Sequence, residues 1–245
     1  MYDRPKDSLI VDKVPASLKV KPIGEGTYGK CYLCEDGKHA YKEFYFPDEF
    51  PKENICNIKA FTYLENDFIS FPRTIVYNIF LNDESIMGYI MDYYNSIMVR
   101  DISNQERMKD IINASYLLEK QIFHSSNYGV IINDLHDENV LYTIDKLFKL
   151  SDTDLYDLYV SEEPKNILKR NMQAWGDFLF SMVGNAYPYD SVKLNNAYYQ
   201  LVMEGRDRAS RVLELTVDYM RNLFNCDIET LGDFKDSMEI LKKLK

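Results

Sequence analysis

The sequence predicts an α+β protein with two lobes, a β-rich first part and an α-rich second part. In the first ninety residues, apolar side chains alternate in strand fashion around turn sequences such as GEGTYGK and EDGK. Apolar residues then recur at helical spacing in 108–122 and through most of the chain after residue 165. We therefore predict lobes at 1–92 and 93–245, joined through the short segment 92–96.

The first lobe is expected to contain five antiparallel strands and one helix. Three strands are predicted between residues 18 and 45, with Asp36-Gly37 as a tight hairpin turn. Residues 52–66 have apolar side chains at helical spacing, and two strands joined by a turn at 82–84 follow them. The second lobe opens with a long helix, whose predicted buried face comprises Met108, Ile111, Ile112, Ser115, Leu118 and Ile122.

Composition restricts the compartment and the class of partner. The net charge is -10 and the basic residues are scattered, so nucleic-acid binding is not expected. No apolar stretch has the length of a membrane span, and the first residues lack the apolar core of a signal peptide. Four cysteines without metal-ligand companions are typical of a reducing compartment. We expect a cytoplasmic protein that does not enter membranes, and the sequence does not specify its oligomeric state.

A glycine-rich turn and a strand lysine are the first features that suggest chemistry. Glycines spaced as in GEGTYG let the backbone of a hairpin lie close over a phosphate chain. Lys42 could reach phosphate oxygens from beneath that turn. Glu65, near the end of the predicted helix, is the expected ion-pair partner of Lys42, with Glu53 as the alternative. The turn residues expected at the phosphates are Gly24, Glu25, Gly26, Thr27, Tyr28 and Gly29.

A second polar stretch, NDLHDEN, is followed by SDTD. Asp134 and Asn139 stand five residues apart, and Asp152 comes thirteen residues after Asn139. Carboxylate and amide oxygens can hold Mg²⁺ against nucleotide phosphates, while a further carboxylate accepts the proton of an attacking hydroxyl. An ordinary polar turn would contain the same residues. The apolar residues on both sides of NDLHDEN favour the first interpretation, because buried strands would hold the polar tip rigidly.

Taken in order, these motifs resemble those of the eukaryotic-type protein kinase superfamily. The glycine turn, the lysine of AYK, the NDLHDEN loop and the aspartate of SDTD occur in the family's order. The resemblance covers residues 19–183. It implies a protein-kinase-like bilobal fold, with a five-stranded antiparallel sheet plus helix in the N-terminal lobe and a mainly helical C-terminal lobe. ATP and Mg²⁺ are the implied cofactors, with Asp134 as the catalytic base and Asn139 and Asp152 as the metal ligands.

The resemblance also implies an adenine site. Met91 would stand at the gatekeeper position, and Ala40 and Leu141 would lie on either side of the base, with Cys31 in place of the family's valine. The nucleotide-binding residues implied by the resemblance, beyond the glycine turn, are Cys31, Ala40, Lys42, Met91, Asp92, Tyr93, Tyr94 and Leu141. In the helix NMQAWGDFLFSMVG, Asn171 would stand where the family has an aspartate that braces the catalytic loop.

The sequence departs from the family around both aspartates. Ile132 and Asn133 replace the histidine and arginine of the catalytic loop, so control by activation-loop phosphorylation is not expected. Thr153 and Asp154 replace phenylalanine and glycine, and only about twenty residues follow before the helix that contains Asn171. The stretch DLHDEN is similar to the catalytic loop of aminoglycoside and choline phosphotransferases. His136 would either steady the moving phosphoryl charge or be a solvated loop histidine.

Three functions stay open at this level. The leading interpretation is a Ser/Thr protein kinase-like phosphotransferase that acts on protein hydroxyls. A small-molecule kinase of the aminoglycoside or choline type would instead use a small cationic hydroxyl substrate, attracted by the acidic stretch 152–163. A pseudokinase scaffold would bind nucleotide or a partner without turnover. An enzyme is favoured, because a scaffold has no chemical need for Lys42, Asp134, Asn139 and Asp152 together.

Overall fold

The structure is a computed structural model that describes residues 8–47, 49–79, 86–184 and 208–243. Backbone contacts divide the chain into two compact units. Unit 1 comprises Met1–Asn95 with Ser151–Asp157, and unit 2 comprises Ser96–Leu150 with Leu158–Lys245. The units therefore interleave in sequence, which the single boundary of the sequence analysis did not anticipate.

Unit 1 contains a six-stranded mixed sheet, with the strand order β1-β5-β6-β4-β3-β2. The strands are β1 (Ser8–Val11), β2 (Lys21–Glu25), β3 (Gly29–Leu33), β4 (His39–Phe44), β5 (Pro72–Asn78) and β6 (Gly88–Asp92). Strand β1 runs parallel to β5, whereas the other neighbours are antiparallel. The prediction of five antiparallel strands is wrong, because it missed the sixth strand, the parallel edge strand β1. With four residues, β1 is too short to show a clear alternation of apolar side chains. The turn predicted at 82–84 lies outside the described residues.

One helix packs on this sheet. Helix α1 (Lys52–Phe61) buries Ile55, Ile58 and Phe61, at three-residue spacing. Ile55 and Ile58 join a core cluster with Phe44 of β4 and Tyr89 of β6. The helix was predicted to extend to residue 66, but it ends at Phe61.

Two glycines hold β4 closely between its neighbours. A β-carbon at Gly29 of β3 would overlap the carbonyl oxygen of Glu43, and one at Gly88 of β6 would overlap that of Lys42. Both adjacent strands therefore approach the β4 backbone more closely than any other residue type would allow. This packing holds the β4 backbone at Lys42 on one side and at Glu43 on the other.

Unit 2 contains four of the five α-helices found among the described residues. They are α2 (Met108–Asn127), α3 (Pro164–Gly184), α4 (Ala209–Phe224) and α5 (Leu231–Lys243). Short strands accompany them: β7 (Ser96–Met98), β8 (Val130–Ile131), β9 (Val140–Thr143), β10 (Phe148–Leu150) and, at the unit boundary, β11 (Asp157–Leu158). Helix α2 packs against α3 and α4, around the fully buried Trp175.

The described elements confirm the α+β class. Helical structure was also predicted across residues 185–207, which lie outside the described part of the chain. Within the described residues, no helix combines the length and the apolar character needed to cross a membrane.

Candidate functional site

Unit 1 buries a lysine between two carboxylates. Lys42, on β4, is 4% exposed, and its Nζ forms ion pairs with Asp152 and, at 2.5 Å, with Oδ2 of Asp154. Burial lowers the pKa of a lysine, but the charges of Asp154 and Asp152 outweigh this effect and raise the pKa of Lys42 above its ordinary value. Lys42 is therefore a fixed positive charge at neutral pH.

The two carboxylates differ in their exposure. The side chain of Asp152 is 37% exposed, whereas that of Asp154 is 1% exposed and accepts a hydrogen bond from the hydroxyl of the buried Tyr89. Burial raises the pKa of Asp154, and the adjacent Lys42 ammonium opposes that rise. Asp152 is thus accessible to a ligand, while Asp154 is enclosed.

The predicted glutamate partner of Lys42 lies elsewhere. Glu65 is exposed and follows the end of α1 by four residues, and Glu53 is exposed in the first turn of α1. The structure therefore does not bring Glu65 to Lys42, and Asp154 occupies the enclosed side of the ammonium instead. Sequence reasoning missed this role of Asp154, although the replacement of the family's glycine by an acidic residue was a visible signal.

The glycine-rich turn is a β-hairpin between β2 and β3. The N–H of Gly26 donates to the carbonyl of Gly29 at 2.9 Å. The ring of Tyr28 packs edge-on against Phe50, and the Tyr45 hydroxyl donates to the Glu25 carboxylate. A β-carbon at Gly26 would meet no atom within 4 Å, so open space adjoins the turn. Thr27 is exposed at its tip, and Gly24 is exposed on β2.

Most residues of the predicted adenine site lie together in unit 1. Ala40 pairs with Met91 across β4 and β6, and both are buried in the core cluster. Cys31 and Tyr93 pack against that cluster. Burial raises the pKa of the Cys31 thiol to about 12. The thiol is therefore protonated and uncharged at neutral pH. Leu141 belongs to unit 2, where it is half-buried in β9.

Part of the predicted hinge is engaged within unit 1. The carbonyl of Asp92 accepts a hydrogen bond from Ser70 at 3.0 Å, and its carboxylate forms an ion pair with Arg73 at 2.6 Å. The N–H of Tyr93 donates to the carbonyl of Lys38 at 2.9 Å, and the hydroxyl of Tyr94 donates to a backbone carbonyl at 3.2 Å. These bonds stabilise the end of β6, and they occupy two backbone groups of the predicted hinge.

Unit 2 brings together three residues of the predicted catalytic loop. The amide nitrogen of Asn139 donates to the carbonyl oxygen of Asp134 at 3.0 Å and to its Oδ2 at 3.1 Å. Nε2 of His136 lies 3.5 Å from the same Oδ2. Asn139 is buried and Asp134 is exposed, so the asparagine orients a carboxylate that solvent or a substrate can reach.

A buried asparagine supports this loop from behind. Asn171, on α3, has no exposed surface. Its Oδ1 accepts from the N–H of Ile132 at 2.9 Å, and its Nδ2 donates to the carbonyl of Val130 at 2.8 Å and to Ser126 Oγ at 2.9 Å. Asn171 thus uses both its donor and its acceptor groups to fix the residues that precede Asp134.

Both candidate aspartates have a left-handed backbone. Asp134 has φ 59°, and Asp152 has φ 56° and ψ 61°. Lys146 and Asn225 also have positive φ, but they lie in a tight β-hairpin turn and at the C-terminus of α4, where this conformation is ordinary. Non-glycine residues in this region cost about 1 kcal/mol or more and tend to cluster at functional sites.

Unit 2 also has a cavity beside Asp134. Its volume is about 710 Å³, and Asp134 and His136 contribute to its wall. Helix α3 supplies Asp177 and the apolar side chains of Phe178 and Met182. The cavity therefore combines an apolar surface with three carboxylates and two basic side chains, those of Arg100 and Lys235.

No family model matches the chain, and no curated protein matches its sequence. The kinase-like interpretation therefore depends on the motifs and on the geometry described above.

Proposed function

We propose that the protein is an ATP- and Mg²⁺-dependent phosphotransferase of the protein-kinase-like fold, which transfers the γ-phosphate to a hydroxyl. The observation that carries the proposal is the burial of Lys42 between Asp152 and Asp154. A lysine is almost never buried unless it is paired, because the loss of hydration of its charge is costly. Lys42 and Asp152 together provide one cation and one accessible carboxylate, which suit nucleotide phosphates and a metal ion, respectively.

The donor set fits Mg²⁺ bound together with a nucleotide. Mg²⁺ is usually held by one or two protein oxygens, and its remaining ligands are phosphates and water. The resemblance assigns the metal-ligand roles to the Asp152 carboxylate and to the Asn139 amide oxygen. When bound, Mg²⁺ neutralises charge on the phosphates.

The residues of the chain have separate roles in the proposed reaction. Lys42 would hold phosphate oxygens, and the glycine hairpin would approach the phosphates from its open side. Asp134 would accept the proton of the attacking hydroxyl, in the orientation that Asn139 sets through its hydrogen bonds. His136 would donate a hydrogen bond to the phosphoryl group or to Asp134. The left-handed backbones of Asp134 and Asp152 support this assignment.

Nucleotide binding is tested by thermal unfolding. Mg-ATP should raise the melting temperature of the wild type, with a shift that grows with the logarithm of its concentration. The Lys42→Met and Asp152→Asn variants should lose most of this shift, whereas ATP with EDTA should give a smaller shift than Mg-ATP. Identical melting curves with and without millimolar Mg-ATP would contradict the proposal.

The acceptor has two candidate classes. A serine or threonine of a protein is the first, because the glycine hairpin and strand lysine resemble those of protein kinases. The cavity beside Asp134 favours the second, a small hydroxyl compound that carries a cationic group. Its volume of about 710 Å³ suits a small molecule, and its three carboxylates outnumber the basic Arg100 and Lys235 on the same wall, which favours a positive charge.

An acceptor panel separates these classes from each other and from a scaffold. The protein is incubated with γ-labelled ATP and Mg²⁺, together with mixed proteins, aminoglycosides or choline. Label in protein would support the first class, and label in a cationic compound that is lost in Asp177→Asn would support the second. Nucleotide binding without transfer to any acceptor would favour a pseudokinase scaffold.

A further inference from the structure

We propose that Asp154 is the residue that positions the Lys42 ammonium, the role that the kinase resemblance assigns to Glu65. The inference rests on the proposed function, because the positioned ammonium is the group that would contact the phosphates of ATP. It goes beyond the resemblance, since the family has glycine where this chain has Asp154.

The two oxygens of Asp154 have different partners, one in an ion pair and the other in a hydrogen bond. Oδ2 lies 2.5 Å from Nζ of Lys42, and Oδ1 accepts the hydroxyl hydrogen bond of Tyr89. Tyr89 lies on β6, directly opposite Lys42 in the sheet register, and is fully buried. The phenol therefore orients the carboxylate, and the carboxylate in turn orients the ammonium.

The segment that contains Asp154 is bound to α1 and to Ser70, two residues before β5. Asn54 Nδ2 donates to the carbonyl of Asp154 at 2.9 Å, and Asn57 Nδ2 donates to the carbonyl of Tyr156 at 3.3 Å. The hydroxyl of Thr153 donates to the carbonyl of Ser70 at 3.4 Å. Helix α1 thus acts on Lys42 indirectly: it contributes amides that hold the segment, and the segment contributes the carboxylate.

Asp152 and Glu65 are less suited to this role. Asp152 is 37% exposed and is the proposed metal ligand, so a bound cation would compete with Lys42 for its oxygens. Glu65 is exposed beyond the end of α1. Asp154 is 1% exposed, so its pairing with Lys42 persists whatever binds to Asp152. Because Asp152 and Asp154 are two residues apart, one short segment sets both the metal ligand and the lysine.

The test compares Asp154→Asn with Glu65→Gln, each alone and combined with Lys42→Met. Unfolding by urea measures the coupling without nucleotide. We expect the destabilisation by Lys42→Met and Asp154→Asn to be strongly non-additive, and that by Lys42→Met and Glu65→Gln to be additive. Additive effects for Lys42 and Asp154 would overturn the inference, whatever the catalytic result.

Kinetics supply the second readout. In Asp154→Asn, the KM for Mg-ATP should rise about fivefold to tenfold and kcat should fall, whereas Glu65→Gln should stay within about twofold of wild type. A merely structural role would reduce the active fraction and leave KM unchanged. If Asp154→Asn does not fold, Tyr89→Phe replaces it, since this variant removes only the hydroxyl that orients Asp154. A smaller rise in KM is expected for it.

The outcomes separate the inference from the proposed function. If the wild type turns over ATP and both Asp154→Asn and Tyr89→Phe do so at the wild-type rate, the inference is overturned and the proposed function stays intact. If the destabilisations by Lys42→Met and Asp154→Asn are non-additive but the wild type transfers no phosphate, the proposed function is overturned. The contact between Lys42 and Asp154 would then stand, without a role in catalysis.

Discussion

At the scale of single residues, buried polar side chains determine how the loop that contains Asp134 is held. Asn171→Asp would replace the two hydrogen-bond donations to Val130 and Ser126 with a buried carboxylate that cannot make them. We expect the free energy of unfolding to fall by about 2–4 kcal/mol, because unsatisfied partners and a buried charge are both costly. Urea unfolding at neutral pH measures this change. The exposed Asn113→Asp is the control, and equal stability of the two variants would contradict the bracing role of Asn171.

A second buried residue should make stability depend on pH. Glu119, on α2, accepts hydrogen bonds from the N–H of Ser210 at 2.8 Å and from its hydroxyl at 2.6 Å. Burial raises the pKa of Glu119 above its usual value of 4.5, although these bonds oppose the rise. In the window above pH 4.5, the folded state binds more protons than the unfolded state, so stability falls as pH rises.

Glu119→Gln should remove this dependence. Its stability relative to wild type should increase as the pH is raised from about 4.5 towards 7, because the glutamine has no proton to lose. Urea unfolding at several pH values measures the difference. The exposed Glu214→Gln is the matched control, and identical pH slopes for wild type and Glu119→Gln would show that Glu119 ionises without penalty.

At the scale of secondary-structure elements, the close approach of β6 to β4 has a measurable consequence. In Gly88→Ala the new β-carbon would overlap the carbonyl oxygen of Lys42, so the strands must separate. We expect a loss of about 1–3 kcal/mol in the free energy of unfolding, the usual cost of overpacking. Gly26→Ala is the control, because its β-carbon would meet no atom within 4 Å. A Gly88→Ala variant as stable as this control would contradict the packing.

Local sequence patterns predict a helix or a strand well where its apolar residues recur with a single period. The apolar stripe of α1 and the alternation in β3 and β4 are visible in the sequence, and these elements form where they were predicted. The end of α1 at Phe61 and the edge strand β1 were missed. Tertiary contacts decide the formation of β1, which gains its pairing from β5, more than sixty residues away in sequence.

At the scale of the whole molecule, the α+β division follows from the change in apolar periodicity, whereas the assignment of Ser151–Asp157 to unit 1 does not. That segment joins unit 1 through contacts with residues about 100 positions away, such as Asn54 and Lys42. The candidate site shows the same contrast between what local sequence predicts and what long-range contacts decide. Motif spacing predicted Lys42, Asp134, Asn139 and Asp152, but no local pattern indicates that Tyr89 and Asp154 bond to each other.

The central claim, that this chain transfers the γ-phosphate of ATP, is tested most directly by the rate of ADP formation in wild type and in Asp134→Asn. The variant keeps an oxygen that can accept the Asn139 hydrogen bond, so its fold and its stabilisation by Mg-ATP should be unchanged. We predict Mg²⁺-dependent ADP formation by the wild type and a rate at least about a hundredfold lower in the variant, the usual effect of losing a positioned base. Equal rates in the two proteins, or no ADP formation by the wild type with any acceptor, would contradict the account.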